Sequence, residues 1–157
     1  MKPSLYLETT IPSYLVARPS RDLIVASHQQ LTREWWNKRQ RDFDICISQL
    51  VLDEATAGDA KTAQRRLELL KPFPLLALTD EVLLLARALI EHGPIPPKAA
   101  RDAAHIAVAA VHGVHFLVTW NCAHIANAEI IEKLEAVCRL HAVQCPVICT
   151  PEELMGE

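Results

Sequence analysis

The fold of this chain is decided by its opening stretch, Leu5-Tyr6-Leu7-Glu8-Thr9-Thr10-Ile11-Pro12. The first three residues are apolar, and a short apolar run of this kind predicts a buried strand. The polar residues Glu8, Thr9 and Thr10 follow at once and indicate a loop. Pro12 then suits the first turn of a helix, because a proline there removes no helical hydrogen bond. The stretch therefore predicts a buried strand that passes through a polar loop into a helix.

The same alternation continues to the end of the chain. Ser48 and Asp59 are predicted to cap the helices that follow them. Further strands are predicted at 43–47, 75–78, 116–119 and 147–148, and further helices at 22–41, 50–54, 59–71, 79–93, 98–111 and 129–141. Strands that alternate with helices indicate a parallel sheet covered on both faces. We therefore predict one α/β domain over residues 1–157, a three-layer α/β/α arrangement with a central, mostly parallel sheet.

The composition is that of a globular protein without a membrane span. Apolar residues make up 50% of the chain and charged residues 22%, which is ordinary for a compact domain. No apolar run reaches the roughly 20 residues that cross a bilayer, and the N-terminus becomes polar too early for a signal peptide. The five cysteines do not have the spacing of a zinc site. We therefore expect a cytoplasmic protein.

Charge is distributed unevenly along the chain. The net charge is −3, but residues 1–41 carry seven Lys or Arg against three acids, and the remaining residues carry nine against sixteen. A basic first third beside an acidic remainder is compatible with a nucleic-acid-binding rim around a carboxylate site. It is equally compatible with ordinary solvated helices, so charge alone leaves both interpretations open.

Polar side chains occur where predicted strands end. Glu8 directly follows the first strand, Glu54 lies in the helix after the second, and Asn121 follows the fourth. Asp102 lies near the start of the helix that leads into the fourth strand. Ligands of open α/β sheets bind outside the carboxyl ends of the strands. Each residue also has an ordinary structural explanation, and it is their convergence on one edge that indicates a site.

Asp102 lies in an otherwise apolar helix, Ala99-Ala100-Arg101-Asp102-Ala103-Ala104-His105-Ile106-Ala107. A charge on the buried side of such a helix is costly unless it is paired or bound to a metal. Carboxylates gathered at one site repel each other, and a hard divalent cation such as Mg²⁺ or Mn²⁺ relieves that repulsion. The acids at this edge therefore indicate a site for a divalent cation.

The ordered set of these segments resembles the PIN-domain family, and in particular the VapC-like toxins of bacterial toxin–antitoxin pairs. The segments that carry the resemblance span nearly the whole chain: Tyr6-Leu7-Glu8-Thr9-Thr10-Ile11-Pro12-Ser13-Tyr14, Val51-Leu52-Asp53-Glu54-Ala55 with Gly58-Asp59, Ile95-Pro96-Pro97-Lys98, Asp102-Ala103-Ala104-His105-Ile106-Ala107, and Leu117-Val118-Thr119-Trp120-Asn121-Cys122-Ala123-His124-Ile125-Ala126-Asn127.

The resemblance implies a metal-dependent endoribonuclease that hydrolyses RNA phosphodiester bonds. It makes Glu8, Glu54 and Asp102 the catalytic acids and the ligands of Mg²⁺ or Mn²⁺, and it places Asn121 where many relatives have a further aspartate. Thr9 or Thr10 matches the hydroxyl position that supports the first acid. A cognate antitoxin is the implied partner. A homodimer is also implied, with the apolar helix 82–90 as a possible contact.

Two departures from the family pattern keep a second interpretation open. Glu8 stands where PIN domains usually have an aspartate, so the metal must lie further from the strand. Asn121 is neutral, so three carboxylates are expected to hold one metal more securely than two. The alternative is a PIN fold that has lost catalysis and binds RNA or a partner protein. A metal-dependent nuclease acting on DNA also stays open. Nucleotide-cofactor enzymes are disfavoured because the chain lacks G-x-G-x-x-G and the P-loop motif.

Other polar residues are weaker candidates. Glu54 is preferred over Asp53 because adjacent helical residues point about 100° apart and Glu54 to Gly58 matches the family spacing. His105 lies one turn after Asp102, where it reaches a phosphate or a supporting carboxylate, or is simply a core histidine. Thr9 is a candidate substrate contact. The candidates for contacts with the RNA backbone are Arg33, Lys38, Arg39 and Arg41; a solvated helix face is the alternative.

Overall fold

The computed structural model describes residues 1–156 and contains one five-stranded sheet. Its strands are β1 (Ser4–Leu7), β2 (Asp44–Ser48), β3 (Leu75–Leu76), β4 (Phe116–Val118) and β5 (Val147–Cys149). They lie in the order β3-β2-β1-β4-β5, and every pair is parallel. The predicted parallel sheet is confirmed.

Helices follow each strand, as predicted. Within residues 1–156 they are α1 (Thr10–Val16), α2 (Leu23–Arg39), α3 (Gln49–Ala55), α4 (Ala60–Leu70), α5 (Asp80–Glu91), α6 (Ala100–Val111) and α7 (Ala128–Leu140), with 3₁₀ turns at Gln40–Asp42, Pro97–Ala99 and Pro151–Leu154. This is the predicted three-layer α/β/α fold. None of these helices combines the length and apolar character needed to cross a bilayer.

The strand order reverses next to β1, and the carboxyl edge of the sheet at this point is the expected position of a ligand-binding crevice. The first strand pairs with β2 on one side and with β4 on the other, so that Leu5 is in register with both Ile45 and Phe116. From β1 the chain first builds outward through β2 and β3, and then returns to the other side for β4 and β5. The order therefore reverses between β1 and β4, and such a switch point is where open α/β sheets bind ligands.

The core lies between this sheet and its helices. All three apolar residues of the opening stretch, Leu5, Tyr6 and Leu7, are fully buried. The Ala-rich helix α6 is buried over 105–110, because its small side chains allow close packing against α5. Since α6 leads into β4, its first turn lies at the carboxyl edge of the sheet, beside the crevice.

Two local predictions are corrected. The third strand is two residues long rather than four, because it is an edge strand whose only ladder runs along Ile47 and Ser48 of β2. Ser48 does not cap α3; its hydroxyl lies 2.8 Å from the hydroxyl of Tyr6 instead. The predicted cap of the next helix is confirmed, since the Asp59 side chain accepts a hydrogen bond from Thr62 N in α4.

Candidate active site

Glu8 is held by three donors at the end of β1. Its side chain is almost fully buried. Its Oε1 accepts hydrogen bonds from Thr10 N (3.1 Å), Thr10 Oγ1 (2.5 Å) and Thr119 Oγ1 (2.6 Å). Both hydroxyls are fixed in turn, because Thr10 Oγ1 accepts from Trp120 N and Thr119 Oγ1 accepts from Asn121 N, each at 2.9 Å. The loops after β1 and β4 thus orient one carboxylate together.

Glu54 is held by a second set of donors. Its Oε1 accepts a hydrogen bond from Thr9 Oγ1 at 2.8 Å and lies 2.5 Å from Nε2 of the fully buried His105. An ionised carboxylate only accepts, so the imidazole Nε2 donates in this contact. On the other side of the ring, Nδ1 lies 2.7 Å from the Tyr6 hydroxyl, which also contacts Ser48. A buried polar chain therefore runs from the end of β2 to Glu54.

This environment keeps Glu54 charged. Burial alone raises the pKa of a carboxyl group, but the hydrogen bond and charge of His105 act against it, with smaller contributions from Thr9 and Arg101, and the pKa of Glu54 is lowered. Burial also raises the pKa of the Tyr6 phenol, and because the hydrogen bond with Ser48 offsets little of this effect, that pKa lies far above its usual range. Tyr6 is therefore a protonated hydroxyl and Glu54 an anion at neutral pH.

Asp102 and Asn121 flank the two glutamates. Asp102 lies in the first turn of α6, and its Oδ2 is 3.8 Å from Nδ1 of His124. Asn121 lies in the turn after β4, where its side-chain Oδ1 accepts a hydrogen bond from His124 N at 3.1 Å. Asn121 therefore shapes the turn that presents His124 to Asp102, and one lone pair of its amide oxygen is already used.

The predicted set of three carboxylates on one ion is not assembled. Within residues 1–156 no group of three His, Cys, Asp or Glu side chains comes close enough to hold a metal ion together. The reason lies in the partners of the acids: His105 and Thr9 hold Glu54, the threonines hold Glu8, and Asp102 faces His124. The acids reach the same edge of the sheet but are directed separately.

The donor atoms nevertheless suit a hard divalent cation. In each glutamate the protein's donors contact Oε1 alone, and Oε2 has no hydrogen-bond partner in the described part of the chain. Over the same residues, Trp35 Nε1 is the one side-chain polar atom that is both fully buried and without a partner. Because the Glu8 Oε2 also has no partner, it is not fully buried. Mg²⁺ is commonly held by one or two carboxylates and several waters. Two oriented glutamates with a free oxygen each meet that requirement.

Comparison with known families places this geometry in context. The PIN domain matches residues 6–129, from β1 into the start of α7. The chain belongs to the PIN-domain family. None of the curated proteins compared with the chain matches it. The PIN domain is a nuclease-type fold that is generally dependent on a divalent metal, and the matched residues include all four polar positions that the sequence singles out.

Three further predictions are resolved by this PIN-domain structure. The Asp53 side chain is exposed and accepts from Gln49 Nε2 at 2.8 Å, whereas Glu54 faces Thr9 and His105. Thr10, not Thr9, supports the first acid. Thr9 and His105 are both buried and contact Glu54, which for His105 is the contact with a carboxylate that the sequence analysis gave as one alternative.

The four predicted RNA-binding cations do not share one place. Arg33 lies near the end of α1, with its guanidinium 3.4 Å from Ala17 O. Arg39 pairs with Asp42 at 2.7 Å and lines a shallow cavity with Pro3 and Phe116, where β1 and β4 begin. Lys38 and Arg41 flank it in sequence. These three cations are therefore at the amino edge of the sheet, opposite the carboxylates. They do not form the basic rim around the carboxylate site that the sequence suggested. The reason is that α2 runs antiparallel to the strands, which carries its basic C-terminus away from the site.

Sequence reasoning missed the residues that orient the acids. Thr119, Tyr6 and Ser48 were not candidates, although each is a buried polar side chain within or directly after a strand. A buried hydroxyl must find a partner, and that requirement was the available signal. The identity of the partner was not available, because Thr119 and Glu8 are 111 residues apart in the chain.

Proposed function

We propose that this PIN-domain protein is a divalent-metal-dependent endoribonuclease that hydrolyses RNA phosphodiester bonds at the β1–β4 crevice. The observation that carries the proposal is the same in Glu8 and Glu54: protein donors bind one oxygen of each side chain, and the other oxygen has no hydrogen-bond partner in the described part of the chain. A purely structural carboxylate has no need of a free oxygen at a ligand-binding edge. An oriented ligand for Mg²⁺ or Mn²⁺ does.

The residues then have distinct tasks. A bound Mg²⁺ or Mn²⁺ supplies Lewis acidity, polarising a phosphate oxygen and lowering the pKa of the attacking water. Glu8 and Glu54 would hold the cation and would need little reorganisation, because the protein's donors already fix one oxygen of each. Asp102, in the first turn of α6 with His124 3.8 Å away, would contribute to the site through water. Asn121 organises the turn that carries His124, and its neutral amide does not act as a general base.

Cleavage assays test this proposal. End-labelled structured RNA is incubated with the protein in Mg²⁺, Mn²⁺ or EDTA. Cleavage is expected with either metal and absent with chelator. Glu54→Gln and Asp102→Asn should each lower the rate by more than about 100-fold, the upper end of the cost of losing an outer supporting group. The matched control is Asp53→Asn, an exposed acid adjacent to Glu54, which should change the rate by no more than about twofold. Cleavage that survives EDTA, or that survives Asp102→Asn, contradicts the metal mechanism.

A second candidate function is favoured by one observation. The acids are directed to separate partners and do not form a three-ligand cluster in residues 1–156, as expected for a PIN fold that binds RNA or protein without catalysis. Calorimetric titration with Mn²⁺ discriminates between the two functions. Absence of Mn²⁺ binding together with absence of cleavage establishes the binding module, whereas binding that Glu54→Gln abolishes supports the nuclease. Parallel incubation with single-stranded and duplex DNA tests the DNA alternative.

We also propose that the protein acts as the toxin of a toxin–antitoxin pair and forms a homodimer. Two free carboxylate oxygens at an open edge are complementary to a cationic side chain of an inhibitor. On α5, Leu83 and Leu84 are 56% and 58% exposed, which provides an apolar contact for a second copy. Induced expression should arrest growth, and co-expression of a short reading frame adjacent to this gene should relieve the arrest. If no adjacent reading frame relieves the arrest on co-expression, the assignment to a toxin–antitoxin pair is contradicted.

Sedimentation equilibrium tests the dimer, and a monomer would contradict it.

A further inference from the structure

A basic cavity of about 530 Å³ lies between the end of α1 and the start of α4. The residues that line it are Val16, Arg18, Asp59, Lys61, Thr62 and Arg65. We call it the α1–α4 groove. All three cations are exposed, and the sequence did not single out any of them. The groove is therefore an accessible basic surface on a protein whose net charge is −3.

The cations of the groove are not neutralised by neighbouring acids. In the part of the chain that the structure describes, none of Arg18, Lys61 and Arg65 forms an ion pair within 4.0 Å. The one acid of the groove, Asp59, is committed to capping α4, because its Oδ2 accepts from both Thr62 N (3.0 Å) and Thr62 Oγ1 (2.9 Å). Three cations less one carboxylate leave a local charge of +2.

The groove is built on the two segments that carry the glutamates. Helix α1 begins at Thr10, directly after Glu8 and Thr9, and its seven residues carry the chain about 10 Å to Val16. The other wall is fastened to α3, because Arg66 Nε donates to Ala55 O at 3.0 Å, and Ala55 follows Glu54. The groove is therefore separated from Glu8 by the length of α1, and its other wall is bonded to the residue after Glu54.

We propose that the α1–α4 groove binds the sugar–phosphate backbone of the RNA strand on one side of the scissile phosphate. This inference rests on the proposed ribonuclease function. Phosphate contacts require positive charge and position the strand, whereas reading of bases requires groups that meet base edges or stack on base faces. None of the side chains that line the groove is aromatic. The groove therefore offers no surface for base stacking, and we expect it to bind RNA through phosphate contacts, irrespective of sequence.

The salt dependence of RNA binding tests the groove. A fluorescently labelled single-stranded RNA is titrated with protein in EDTA, where cleavage is not expected, and anisotropy is followed at several KCl concentrations. Each lost phosphate contact lowers the slope of log Kd against log[KCl] by about 0.7 for a single strand, so the triple variant Arg18→Ala/Lys61→Ala/Arg65→Ala should lower it by about 2. The same decrease is expected with oligo(U) and oligo(A).

The matched control removes three exposed lysines from other parts of the surface, Lys2→Ala/Lys71→Ala/Lys133→Ala. It makes the same change in net charge and should leave the slope within about 0.7, the value of one contact. Unfolding temperatures of both variants confirm that the fold is retained. If the triple variant keeps the slope of the unchanged protein, the groove does not bind RNA. An equally large decrease in the control leads to the same conclusion. A decrease seen with one homopolymer alone contradicts binding irrespective of sequence.

The outcomes also separate this inference from the proposed function. If the unchanged protein cleaves RNA in Mn²⁺ but the triple variant keeps the full salt slope, the proposal that the groove binds RNA fails, whereas the proposed ribonuclease function is supported. If the unchanged protein neither binds nor cleaves RNA, the proposed function fails and the groove fails with it. If RNA binds with the expected slopes but is never cleaved, the groove stands and the binding module is favoured.

Discussion

The contact between His105 and Glu54 provides the sharpest test of the site's architecture. A double-mutant cycle with Glu54→Gln, His105→Leu and the double variant isolates its energy. His105→Leu also removes a partner of Tyr6, but that loss occurs in both arms of the cycle and cancels. The urea dependence of unfolding gives the free energy of each protein.

The expected coupling follows from the geometry. A hydrogen bond to a charged group contributes about 1.5–3 kcal/mol. The Glu54 side chain is 22% exposed and keeps its bond from Thr9 in His105→Leu, so we expect the lower half of that range, about 1.5–2 kcal/mol at neutral pH.

The coupling should also depend on pH, with a defined sign. The pKa of Glu54 is lower in the folded chain than its usual 4.5, so its charged form stabilises the fold. That stabilisation is fully present above about pH 4.5 and is lost as the pH falls through the folded-state pKa. Unconnected sites usually depart from additivity by up to about 0.5 kcal/mol. A coupling energy below that value at neutral pH would contradict the contact between His105 and Glu54. Coupling that grows on acidification refutes it as well.

Further predictions concern the supporting structure. Tyr6→Phe removes the hydroxyl between Ser48 and His105 and should lower the free energy of unfolding by about 1–3 kcal/mol, as seen by urea unfolding; an unchanged midpoint would show that the buried chain is not formed. Gly58→Ala should lower the free energy of unfolding by about 1–2 kcal/mol, again measured by urea unfolding. Gly58 has a φ of +83°, which disfavours a side chain, although an added Cβ would meet no other atom. Lys38→Ala/Arg41→Ala should leave the salt slope of RNA binding within about 0.7 of its original value; a larger decrease would place RNA at the amino edge of the sheet.

Local patterns were sufficient for most of the fold. The apolar run Leu5-Tyr6-Leu7 predicted β1, and the Ala-rich segment predicted the buried helix α6. Asp59 was recognised as a helix cap from its own neighbours. These features depend on residues a few positions apart, because helical and strand periodicities and capping bonds are local. The alternation of such elements then implied a parallel sheet, as the structure has it.

The candidate site was predictable in part, for the same reason. Glu8, Glu54 and Asp102 each occur at a recognisable place relative to a strand or helix end, so their arrival at one edge followed from the order of elements. The sequence therefore determined which acids are present there. It did not determine how close they would lie, and within residues 1–156 no three His, Cys, Asp or Glu side chains are grouped closely enough to hold a metal ion.

Tertiary structure alone decided how each acid is held. The bonds from His105 to Glu54, from Tyr6 to His105 and from Thr119 to Glu8 join residues 51, 99 and 111 positions apart. Such contacts exist only once β1 lies between β2 and β4, and strand order is not encoded in any local period. The opening stretch thus specified a strand that ends in an acid. The neighbours that fold around that strand decided which oxygen of the acid is occupied and which is free.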